Sequence, residues 1–110
     1  MPLMNEEKLA AMSRRLYNMS IDVSSITADL WRQGNAIKSA ARDCDYEAVM
    51  WEYRILLNKA DQLHDVLAKA HSDGKIGAGD VDKAKISLTD YQGDVFEDMA
   101  KALREKCGCK

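Results

Sequence analysis

Through the first forty residues, apolar side chains recur in strict alternation of three and four positions. The series is Leu9, Met12, Leu16, Met19, Val23, Ile26, Leu30, Gln33, Ile37 and Ala40, with Gln33 the one polar member. An apolar residue every 3.5 positions keeps one stripe of an α-helix facing a partner over many turns, a period no strand can use. The stripe predicts a continuous helix over about 5–42. Two places could interrupt it. Ser20-Ile21-Asp22-Val23-Ser24-Ser25 is poor in helix formers, and Gly34-Asn35 could end a helix. A break near residues 18–25 would fold the first turns back as a separate helix.

Two further seams follow. Arg42-Asp43-Cys44-Asp45 reads as a turn with Asp43 or Asp45 available as an N-cap, and a second helix is expected over 46–71. Its seam, Tyr46, Val49, Tyr53, Leu56, Ala60, Leu63, Leu67 and Ala70, is flanked by a column of Met50, Leu57, His64 and His71. That wide face predicts a helix between two neighbours. The glycine-rich stretch 72–79 reads as the second loop. A third helix is expected from an Asp80 cap to about Lys106, on Val81, Ala84, Leu88, Tyr91, Val95, Met99, Ala102 and Leu103. The fold class is therefore all-α. One domain, 1–110, forms an antiparallel up-down-up bundle of three long heptad-patterned helices, or four if the first breaks.

An unbroken first helix would be about ten residues longer than its neighbours and would overhang them by about 15 Å. The overhanging turns carry Leu9, Met12 and Leu16, and a second apolar column of Tyr17, Ile21, Ala28 and Trp31 lies beside them. Apolar surface of that extent needs a cover, either the chain itself or a second molecule. Leu9, Met12, Leu16, Tyr17, Ile21 and Trp31 are the candidate protein-binding residues. Trp31 and Trp51, off the main seams, are the best candidates for partner anchors.

Composition narrows the function classes. Hydrophobic residues make up 46% and charged residues 31%, the balance of a folded, well-solvated chain. A net charge of −2, with both signs mixed along the chain, disfavours a phosphate backbone or a polybasic membrane contact. No run approaches the roughly 18 apolar residues of a membrane span, and the first residues carry no export signal. Three cysteines without framework spacing suggest a reducing compartment, so a cytoplasmic location is expected.

Several stretches invite a chemical reading. Asp73-Gly74-Lys75-Ile76-Gly77-Ala78-Gly79-Asp80 resembles the second half of an EF-hand loop, but Lys69 and His71 stand where the first acidic ligands belong. A plain connector is expected. Gly34-Asn35-Ala36 with Asp45-Tyr46-Glu47-Ala48 resembles a single tetratricopeptide repeat whose turn is too long, and no second copy occurs. Cys44, Cys107 and Cys109 can gather at one end of an up-down-up bundle. A reducing cytosol disfavours a Cys44–Cys107 or Cys44–Cys109 bond, and zinc would need Asp43 or Asp45 as its fourth ligand, an unusual set. Idle thiols are expected.

Asp61-Gln62-Leu63-His64, with Asp65, resembles part of the all-α nucleotide pyrophosphohydrolases, whose magnesium needs a Glu-x-x-Glu partner. Asp94 and Glu97 would be the stand-in here. That resemblance implies an alternative, a small metal-dependent enzyme using Asp61, Asp65, Asp94 and Glu97. The leading expectation is a non-enzymatic helical module of adaptor, inhibitor or chaperone type. It would present the first helix's apolar face to another protein, alone or as a homodimer, with no catalytic residue, metal or cofactor.

Overall fold

The computed structural model describes residues 4–108, with side chains described from Glu7 onward. Four helices account for nearly all of it: α1 (Met4–Tyr17), α2 (Ser24–Arg42), α3 (Tyr46–Ser72) and α4 (Ala78–Cys107). There is no strand among the described residues. The fold class is all-α, and the bundle measures 50 × 26 × 20 Å.

The first helix breaks, and this corrects the expected 5–42 rod. The ending reads in hydrogen bonds. Ser20 N–H donates to the Tyr17 carbonyl and Ile21 N–H to the Leu16 carbonyl, both at 2.9 Å, with Ser20 at φ +66°. This is a Schellman ending, in which one left-handed residue turns the chain and satisfies the last carbonyls. Leu16 and Ile21, the two positions such an ending commonly brings into apolar contact, both lie in the buried core. Asp22 then accepts from both the amide and the hydroxyl of Ser24, the first residue of α2, with Val23 at the N-cap. Those two bonds, the hydroxyl's first, hold the Asp22 carboxyl below its ordinary pKa.

The same ending recurs twice. Cys44, at φ +58°, closes α2 with bonds from Cys44 N–H to the Ala41 carbonyl and from Asp45 N–H to the Ala40 carbonyl. Gly74, at φ +76°, closes α3 in the same pattern. Asp45 caps α3 by accepting from the Ala48 amide at 3.1 Å, as its position in the sequence suggests. Asp80 does not cap α4. Gly77 in extended conformation holds that place, and Asp80 sits in the first turn, where a carboxylate suits the positive end of the helix dipole.

Cross-helix pairs fix directions. Tyr91 with Leu30, Lys38 with Asp98 and Cys107 with Ala41 ascend together, so α2 and α4 run the same way. Gln33 with Glu52 and Asp29 with Lys59 descend against each other, so α3 opposes α2. α1 returns along the bundle and ties Lys8 to Asp94 at 3.1 Å.

The stripe on α2 differs from the expected seam. Thr27, Leu30, Gly34, Ile37 and Ala41 are buried, and Gln33 instead donates to the Glu52 carbonyl at 3.0 Å. Gly34 does not end the helix. It leaves the space in which Tyr91 lies, its hydroxyl donating to the Leu30 carbonyl at 2.7 Å.

Candidate functional site

Of the six residues proposed for protein binding, Leu9, Met12, Leu16 and Ile21 are 6% exposed or less and belong to the chain's own core. The overhang that motivated them does not form. Once the chain turns at Ser20, α1 lies back on α2 and α4, and its seam is covered within one molecule. Tyr17 and Trp31 face outward. Trp31 borders a groove of about 360 Å³ between α1 and α2, floored by Leu9 and Thr27.

Apolar surface is left over elsewhere. α1 begins at Met4, four residues before the Lys8–Asp94 pair, so it reaches only about 6 Å past that level. Beyond it the bundle is three helices thick among the described residues. On α3, against which α1 does not pack, Tyr46, Met50, Tyr53 and Leu57, spaced four, three and four, share one face. The Tyr53 ring meets Phe96 of α4 at 6.4 Å between centroids, so this face looks toward α4. Met50 is 68% exposed and Phe96 52%, with Tyr46 and Leu57 similarly open. The second-helix column containing Met50 and Leu57 was legible in the sequence as a wide apolar face. That it stays uncovered depended on which neighbours α1 packs against, and these are α2 and α4. Trp51 is also exposed, about 100° round α3 from Met50.

No group of three or more His, Cys, Asp or Glu side chains gathers among the described residues. Asp94 is engaged by Lys8, and Asp61, Asp65 and Glu97 are exposed without forming a shared site. His64 and His71 are exposed on α3. In the glycine-rich connector, Asp73 pairs with Lys69 at 3.4 Å. Asp29 bonds Arg32 and lies 3.5 Å from Lys59; the Arg32 bond holds its carboxyl below the ordinary value.

The cysteines depart from the expected idle thiols. Cys44 and Cys107 are joined as a disulfide across 63 residues, with their Cα atoms 5.6 Å apart. The end-to-end return of the last helix, read from the seams, does bring the sulfurs together. The expectation of idle thiols is corrected at these two positions; the compartment argument behind it carried no geometric information. Cys109 lies outside the described residues.

No family model, curated protein or solved structure matches the chain. No helix among the described residues is long and apolar enough to cross a membrane.

Proposed function

We propose that this chain is a non-enzymatic helical module that works by contact with another protein. The contact surface is the exposed α3–α4 face around Met50 and Phe96. One observation carries the reading: Met50 and Phe96 are more than half exposed and Leu57 is 42% exposed, on helices joined across this face by the Tyr53–Phe96 ring contact. Clustered apolar side chains with a charged surround are how helical surfaces engage partners. The helix 1 face first expected to do this is used up in the core, and Tyr17 with Trp31 is its exposed remnant. A metal-dependent enzyme built on Asp61, Asp65, Asp94 and Glu97 gains no supporting geometry.

A second copy of the chain is the first partner to test. Light scattering at low micromolar concentration should show association that Met50→Glu and Phe96→Glu abolish and Trp31→Glu leaves intact. A strict monomer that crosslinks to nothing through this face would sink the reading. The cytoplasmic location is likewise a proposal. Alkylating thiols in intact cells tests it, since a reducing compartment would keep Cys44 and Cys107 as two thiols.

A further inference from the structure

We propose that the Cys44–Cys107 disulfide is a redox-operated lock on the end of α4, whose opening bares apolar surface at the three-helix end of the bundle. This rests on how unevenly α4 is held, and it stands whether or not the α3–α4 face binds a partner.

The helix has two unlike halves. Its buried side chains are Ala84, Leu88, Tyr91 and Val95. From Phe96 to Cys107, about three turns, there is none. Met99, Ala102, Leu103 and Cys107 are only half-buried, and Phe96 is exposed. α1, which flanks the upstream half through Lys8–Asp94, reaches only to about the level of Asp98 among the described residues, and leaves the last turns of α4 without it. The remaining non-covalent hold includes the Lys38–Asp98 pair at 3.7 Å, whose Asp98 side chain is 51% exposed. Ion pairs so open to water contribute little. Three helical turns without a fully buried face are marginal by themselves.

The covalent tie sits at the far end of that weak stretch. It joins the last residue of α4 to Cys44, which closes α2 in the left-handed region at φ +58°. A non-glycine residue in that region carries conformational strain. Breaking the bond therefore frees both sides: α4 loses its terminal anchor, and Cys44 loses one of the constraints that keep it left-handed. Both cysteines are half-buried rather than sealed, so a thiol reagent can reach them. What the end of α4 helps to cover is apolar. The Cys107 sulfur lies 3.3 Å from the Ala41 carbonyl, and Ile37, Ala41 and Val49 are buried at this end. Their exposure would enlarge the patch that Met50 and Phe96 begin.

The chemistry is a two-electron exchange with a dithiol. One thiolate of the dithiol attacks a sulfur of the bond and displaces the other cysteine as a thiolate. The reagent's second thiol then attacks the mixed disulfide. Cys44 and Cys107 end as thiols after protonation, and the dithiol ends as a disulfide.

The test is residue-resolved NMR of the full chain, oxidised and then reduced with dithiothreitol, with reoxidation as the return leg. The expected result is selective. Amides of 99–107 should move to frayed-helix shifts and exchange with solvent at least about tenfold faster, while Ala84, Leu88 and Tyr91 keep their native shifts. Binding of an apolar dye should rise in step, and reoxidation should reverse both. Cys44→Ser should reproduce the reduced pattern without reagent. Reduction that leaves 99–107 in place would overturn the lock. So would reduction that unfolds the whole bundle, since the bond would then support the entire fold. A bond that resists dithiothreitol in the native state would also overturn it.

Discussion

Gly34→Ala is the substitution in which local propensity and tertiary packing predict opposite signs. Gly34 is buried in the middle of α2, where alanine would ordinarily add about 1 kcal/mol of helix stability. The packing around it opposes that gain with a greater penalty. A Cβ at this position would fall 2.1 Å from the Tyr91 hydroxyl oxygen, 3.0 Å from Tyr91 Cζ and 3.1 Å from a Val95 methyl. Tyr91 is fully buried and cannot swing to solvent. Its hydroxyl must leave the Leu30 carbonyl, and a buried polar group deprived of its bond costs about 1–3 kcal/mol. Forcing the ring aside in a packed core costs about 1–3 kcal/mol more. Net destabilisation of about 1–5 kcal/mol is expected after the propensity gain is subtracted. Urea unfolding followed by circular dichroism should show a lower midpoint at an unchanged slope. Tyr91→Phe removes the oxygen and should cost about 1 kcal/mol alone. In the double variant the worst contact is gone, so the two costs should fall short of additivity by about 1 kcal/mol or more. A Gly34→Ala protein more stable than wild type, with the two substitutions additive, would refute this account of the α2–α4 contact.

Three other outcomes are expected on the same structural grounds. Ser20→Gly should stabilise the fold by about 0.5–1 kcal/mol in thermal or urea melts, because it relieves a left-handed serine at the end of α1; a loss of stability would argue against that ending. Leu16→Ala should cost about 2–5 kcal/mol, whereas Tyr17→Ala next to it should change stability by no more than about 0.5; equal costs would mean α1 is docked on another face. Asp22 should titrate below the ordinary aspartate value by NMR and move up in Ser24→Ala. Because its folded pKa is lowered, its contribution is present above the unfolded pKa and fades as pH falls through the folded value; an Asp22 midpoint at the ordinary value would remove it.

How much of the bundle was legible beforehand differs from element to element. Most of the α3 seam and the middle of the α4 seam could be read from their amphipathic repeats, although Tyr46 is exposed and Val81, Met99, Ala102 and Leu103 are only half-buried. The first repeat misled. Its 3–4 spacing runs straight across the turn, since Met19 and Ile26 pack against the core, and Val23 within it, whether or not the backbone between them is helical. Ser20 and Cys44 hid the helix endings from a search for glycine, although both occupy the left-handed position glycine usually takes. The candidate face was half visible. Met50 and Leu57 stood out as surplus on a wide face, but Phe96 gained significance only when Tyr53 was found against it.

Periodicity alone determined that this chain is helical, where most of its core residues lie, and that its last helix returns toward the α2–α3 turn. These are consequences of local spacing, since a helix presents residues three and four apart on one side regardless of context. Tertiary structure decided the rest: the reversal at Ser20, the pocket that Gly34 leaves for Tyr91, the pairing of Cys44 with Cys107, and the α3–α4 face that α1 leaves bare. Each depends on how far one helix extends along another. That is set by the summed packing of distant side chains, which no spacing within a single segment records.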